Sequence, residues 1–157
     1  MAGTREQQDA ATLEAIADAA WSVGELDECI AARDIAYKQF EADGDARGTA
    51  RSAIALYDYF CFKGRRAVAN GWLQRAKRSL DGQPDAPEHG LLLEREAEVA
   101  HGSGALELAL EKAGRALDIG RRCPAAAHTS TRPSSVSGNV RVPSSAAQRL
   151  AICASGP

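Results

Sequence analysis

Aromatic side chains make up only 5% of this sequence, methionine occurs once, and no apolar run approaches the length of a bilayer. The longest mostly apolar stretch, Ala53 to Phe62, is interrupted by Asp58 and falls far short of the roughly 18 residues a spanning helix needs. Residues 1–9 are polar and lack the apolar stretch of a signal peptide, so a cytoplasmic location is expected. Acidic residues are missing after Asp118. The four cysteines form no C-x-x-C pair, and no histidine stands at metal-ligand spacing from any of them. No metal site is therefore expected, and Cys29 and Cys61, set among apolar residues, are expected as small core hydrophobes.

Catalytic signatures are missing too. Gly102-Ser103-Gly104 follows a helical pattern rather than a strand and lacks the third glycine of a dinucleotide loop, so it predicts a turn. His89 and His101 have no nucleophile and third group arranged around them. Glu94, Glu96 and Glu98 alternate at spacing two and diverge on a helix, which rules out a paired-carboxylate site. The expectation is a protein with no catalytic residues, no cofactor and no metal.

What the sequence has is a repeat. Gly24, Gly64 and Gly104 stand 40 residues apart, as do Cys29, Ala69 and Ala109, and again Ala36, Ala76 and Ala116. Two further registers precede the glycines: Ala19, Tyr59, Val99 and Ala20, Phe60, Ala100. Five registers at one offset point to an internal repeat. Glycine suits the end of a first helix, where positive φ is often required. The small residues five and twelve positions later lie two turns apart, on one face of a second helix, where they let the pair approach.

Hydrophobic spacing fills in the units. The first predicts helices from about Asp9 to Val23 and Leu26 to Ala42, with Leu13, Ile16, Ala17, Ala20, Trp21, Ile30, Ala36, Tyr37 and Phe40 on the apolar sides. The second predicts helices over Ala46–Phe62 and Ala67–Leu80, with Ile54, Leu56, Tyr57, Phe60, Trp72, Leu73 and Leu80 as core candidates. The stretch from Asp81 to Pro87 stops it. The third predicts helices from Glu88 to about Gly102 and Ala105 to Ile119, with Leu91, Leu92, Val99, Leu106, Leu110, Leu117 and Ile119 as its apolar side. Three such units are about the minimum for a stable stack. The expected fold is all-α: a flexible N-terminus over 1–8, then a stack of three antiparallel helix pairs (an α-solenoid) over 9–44, 45–84 and 85–122.

The last segment, 123–157, does not match. Residues 1–118 hold 14 of the 19 basic residues against all 21 acidic ones, a net of −7, whereas the remainder carries only positive charge, +5. Proline and serine crowd this segment and no helical period survives, so it is expected to be disordered. Two readings account for it. One is a natural flexible extension. The other is a frameshift in a GC-rich gene, whose alternative frames encode such Ala, Arg, Pro and Ser crowding; the abruptness of the change favours the second.

The segments AAWSVGELDECIAARDIAYKQF and AVANGWLQRAKRSL resemble tetratricopeptide-type repeats, and both are similar to the helical-repeat region of large LuxR-type transcriptional regulators of high-GC actinobacteria. The resemblance covers residues 9–122. It implies a sensor or self-association module that precedes a DNA-binding helix-turn-helix, which this chain does not show after the repeats. The period is 40 rather than the common 34, and His101 stands where the first unit has Trp21.

Two groups of residues are candidates for partner binding. Lys63, Arg65, Arg66, Arg75, Lys77 and Arg78 place six positive charges in sixteen residues, a possible nucleic-acid patch. Charge runs of this kind are more often a solvated helix face. Among the aromatics, Trp21 and Tyr57 fit core spacing, which leaves Tyr37 and Tyr59 as the expected exposed pair. The expected function is thus a non-catalytic protein-interaction module whose partner is a protein or peptide, or a second copy through the unpaired third unit. The alternative is a nucleic-acid-associated regulator using the basic second unit; no membrane partner is expected.

Overall fold

The computed structural model describes residues 9–123. Six helices follow one another: α1 (Ala10–Val23), α2 (Leu26–Asp43), α3 (Ala46–Phe62), α4 (Arg66–Leu80), α5 (Pro87–Gly102) and α6 (Leu106–Arg122). No strand occurs among the described residues, so the described fold is all-α and built of adjacent antiparallel helix pairs. The chain divides after Gln83 into a first unit holding α1 to α4 and a second holding α5 and α6. The N-terminus over 1–8 and the proline- and serine-rich segment beyond Cys123 lie outside the described residues.

The repeat is visible in the turns. Gly24, Gly64 and Gly104 have φ of 85°, 71° and 82°, where a Cβ would be strained. After each, the next backbone N–H donates to a carbonyl five residues back: Glu25 to Ala20 at 3.0 Å, Arg65 to Phe60 at 2.9 Å, Ala105 to Ala100 at 2.9 Å. This closing bond, with the left-handed residue inside it, is a Schellman ending. Helix starts are less uniform. Asp9 accepts from Thr12 N at 2.7 Å and Asp45 from Gly48 N at 3.0 Å, each satisfying a donor of the first turn. α5 begins on Pro87, which the sequence reading placed in the preceding stop; proline is well tolerated at that first position. His89 turns back so that its Nδ1 accepts from Ala86 N at 3.2 Å.

Small side chains hold the first unit together. Cys29, Ala36, Ala50, Ala53, Leu56, Ala69 and Ala76 are fully buried. Cys29 and Cys61 are buried thiols, and burial raises the Cys29 pKa above its ordinary value, which keeps it protonated. At the α2–α3 junction a Cβ on Gly48 would lie 2.5 Å from the Phe40 ring, so only glycine permits that approach. Phe40 packs at the same time on Ala10, Leu13 and Ala36.

In the second unit the buried residues include Leu92, Leu93, Ala97, Ala100 and Ile119. The apolar side expected for this unit needs correction: Leu91, Val99, Leu106, Leu110 and Leu117 are exposed. The helix that α6 packs along is α5, and one neighbour covers one stripe only. Periodicity finds apolar stripes but does not say which of them receives a neighbour.

Candidate interaction surface

An ion cluster ties three helices of the first unit together. Arg33 of α2 projects into the interior with its side chain 5% exposed. Its Nη1 donates to Glu14 Oε1 of α1 at 2.6 Å, and its Nη2 pairs with Asp18 one turn further on. Glu14 also accepts from Arg51 of α3, at 2.8 Å from Nη2 to Oε2 and 3.0 Å from Nε to Oε1. One carboxylate thus serves two guanidinium groups, one from each neighbouring helix. Arg51 lies 5.5 Å from the Phe40 ring centroid. Arginine is suited to this position because its planar fork makes several directed bonds at once. The charges neutralise one another, which is what lets the Arg33 guanidinium lie in the interior.

Aromatic rings flank it. Trp21 stacks at a tilt on Tyr59 (5.1 Å between centroids) and meets Phe62 edge-on at 5.6 Å, so the ends of α1 and α3 share an aromatic edge. Tyr37 meets Trp72 edge-on at 5.1 Å, and the Arg75 guanidinium covers Trp72 at 4.3 Å. Tyr37 and Tyr59, expected to be exposed, are instead 7% and 5% exposed. The reason is topological: α2 and α3 each have helices on two sides, so a residue off the main apolar stripe still meets a neighbour. Burial raises both tyrosine pKa values; for Tyr37 a hydrogen bond to Glu41 adds to it, and for Tyr59 contact with Arg33 opposes it. Phe62, not singled out by the sequence, is the aromatic that remains exposed on this edge.

The basic residues of α4 are spread rather than gathered. Lys63 pairs with Asp27 and Arg75 lies on Trp72. Arg65 and Arg66 stand exposed at the start of the helix, and Lys77 and Arg78 in its last turn, where positive charge suits the helix dipole. The expected divergence of Glu94, Glu96 and Glu98 holds in part: Glu96 turns away to hold Lys112 at 2.6 Å, whereas Glu94 and Glu98, one turn apart on α5, both meet Arg95, at 3.2 and 3.7 Å. No group of three or more His, Cys, Asp or Glu suited to a metal ion occurs among the described residues. No helix among them is long and apolar enough to cross a membrane.

Sequence reasoning missed Arg33, Glu14, Asp18 and Arg51. The signal was present: Arg33 occupies an apolar register of α2 between Cys29 and Tyr37, and a cation there needs a buried partner. It also misassigned the most exposed apolar surface. Leu106, Leu110, Ala113 and Leu117 follow one another at spacings of four, three and four along α6, and all four are exposed, Leu110 at 74% and Leu117 at 54%. Such spacing is the seam of a helix made to receive another helix. No family model, curated protein or solved structure matches the chain. Its function is therefore read from these residues.

Proposed function

We propose that this chain is a non-catalytic protein-interaction module of tetratricopeptide-like helix pairs, acting in the cytoplasm. The observation that carries the reading is the leucine seam of α6, an apolar stripe that no helix among the described residues covers, in a chain whose Arg33 cluster is spent on internal pairs. Exposed contiguous apolar surface of this kind marks binding sites more often than chance exposure does. The resemblance of residues 9–122 to the repeat region of LuxR-type regulators supports a regulatory role as a sensor or oligomerisation segment. Reading the gene past the codon for Arg122, and into its neighbour, tests that part: a helix-turn-helix is expected there, and its absence from every frame would remove the regulator assignment.

The interaction reading is tested by placing a photo-crosslinking residue in turn at Leu110, Phe62 and the polar control Asp43. One recurrent protein adduct at the apolar positions and none at Asp43 is the expected result. The same adducts at all three positions would sink it.

The alternative rests on the exposed Arg65, which precedes α4, and Arg66 and Arg78 within it. If these bind a phosphate backbone, affinity for duplex DNA should fall steeply between about 50 and 200 mM salt, as counterion release requires. Salt-insensitive binding, or none, removes it.

A further inference from the structure

The internal repeat indicates what covers the α6 seam. Residues 80 apart are equivalent, so Leu106, Leu110, Ala113 and Leu117 correspond to Leu26, Ile30, Arg33 and Tyr37 of α2. In α2 Arg33 and Tyr37 of that stripe are buried, and Leu26 and Ile30 are half-buried. Arg33 bonds Glu14 and Asp18 of α1 and also contacts Tyr59 of α3, Tyr37 meets Trp72 of α4, and Phe40, the next residue of the stripe, lies against Gly48 of α3. Of the following unit, the first element to reach it is the opening helix, running antiparallel: the end of α2 meets the start of α3, and Lys63 after α3 pairs with Asp27 at the start of α2.

An opening helix with its covering side free exists elsewhere in the chain. α3 meets α2 through Arg51, over the Phe40 ring, and Tyr59, beside Arg33, whose equivalents in α1, 40 residues earlier, are Ala11 and Ala19. Both are exposed and small, as are Thr12 and Ala15 between them, and Val23 extends the stripe at 73% exposure. Leucine knobs on α6 and an alanine-lined stripe on α1 are complementary in size. Charge agrees with the antiparallel sense. Arg121, 71% exposed at the end of α6, would meet the α1 end that begins at Asp9, where an acidic residue is exposed.

We infer that a second copy of this chain docks its α1 on the α6 seam, repeating between molecules the α2–α3 contact made within one. This deepens the interaction-module reading and rests on it by naming the partner. The contact is heterologous, joining two different surfaces, so it leaves a free α1 and a free α6 at every stage and growth is open-ended.

The test uses the full chain in sedimentation equilibrium from micromolar to hundreds of micromolar, with two variants at exposed positions, Leu110→Glu on α6 and Ala19→Glu on α1. Wild-type weight-average mass should climb with concentration beyond twice the 16.6 kDa of one chain, without a plateau. Each variant alone should stay at one chain mass, with an unchanged circular dichroism melt. Mixed one to one, the variants should form a dimer and stop there, because each retains the half that the other has lost. A monomeric wild type overturns the inference, and so does association that Leu110→Glu leaves intact. Association lost in Leu110→Glu but kept in Ala19→Glu overturns it as well, since that pattern belongs to α6 pairing with itself. The crosslinking test above tells the two failures apart: a monomeric wild type with a recurrent Leu110 adduct to another protein overturns this inference and keeps the interaction reading, whereas no adduct at Leu110 removes both.

Discussion

α2 and α6 carry equivalent residues in equivalent registers, yet one is an interior helix and the other a surface. α2 has α1 on one side and α3 on the other, while α6 lies along α5. The two stripes differ in chemistry as well as in cover. Where α6 has Ala113 and Leu117, α2 has Arg33, bonded to Glu14 and Asp18 of α1 and beside Tyr59 of α3, and Tyr37, bonded to Glu41 and edge-on to Trp72 of α4. A helix held on both sides can afford a buried cation because neighbouring helices supply its anions and rings. A helix with an open side presents plain leucines, which need no specific partner geometry. Position in the repeat, more than composition, sets which residues are structural and which are available to bind.

The largest effect expected from this difference is at Glu14. Glu14→Ala would leave Arg33 buried with only the exposed Asp18 as counter-ion, and breaking a buried pair from one side costs about 3–5 kcal/mol. Urea denaturation followed by tryptophan fluorescence reads this directly, because both tryptophans, Trp21 and Trp72, belong to the first unit. The matching change on the other side, Lys112→Ala, removes the Lys112–Glu96 bond of α6 and α5, whose side chains are partly solvated, and should cost about 1 kcal/mol by circular dichroism. Equal losses at the two sites would mean that the cluster around Arg33 is no more than a surface pair.

Next come two identical substitutions with opposite signs. Gly48→Ala would drive a methyl to within 2.5 Å of the Phe40 ring and 2.6 Å of Asp45 Oδ2, and overpacking of this kind costs about 1–3 kcal/mol. Gly90→Ala in α5 would place its methyl 3.5 Å from Ile119 Cγ2, an ordinary contact, in a helix where alanine is favoured over glycine by about 1 kcal/mol. It should stabilise the second unit by about 0.5–1 kcal/mol. Thermal melts of the two variants test the pair, and destabilisation at Gly90 would show that α5 and α6 approach as closely as α2 and α3 do.

How far these features could be read from sequence follows the same division. The glycine turns were legible because positive φ at a fixed offset leaves a chemical trace that no other residue satisfies so cheaply. So were Cys29, Ala36, Ala69 and Ala76, whose small size records a close helix approach. The Arg33 cluster was not, since its members come from three helices and no local spacing links Glu14 to Arg51. Tyr37 and Tyr59 were misread because a single-helix period cannot anticipate a second neighbour, and Leu110 and Leu117 because it cannot anticipate the lack of one.

The smallest effect concerns alkaline pH, and it falls on one unit alone. All three tyrosines, Tyr37, Tyr57 and Tyr59, belong to the first unit. Burial holds the Tyr59 pKa, and that of Tyr37, above the ordinary value near 10. A group whose folded pKa is raised binds its proton more tightly in the native state, so its contribution is complete below pH 10 and is lost as pH rises through the folded value. Denaturation midpoints taken between pH 9 and 11 should therefore fall when followed by tryptophan fluorescence. In Tyr59→Phe the fall should be shallower, since a phenyl ring has no proton to lose, although the variant starts slightly less stable without its contact to Arg33. The absorbance of tyrosinate near 295 nm gives an independent check, rising in the native protein at a higher pH than in urea. A Tyr59→Phe profile parallel to that of the wild type would mean that ionisation of this ring does not limit the first unit. The junction of α1, α2 and α3 would then owe its stability to ion pairs and packing, the Trp21–Tyr59 stack included, and not to the phenol proton.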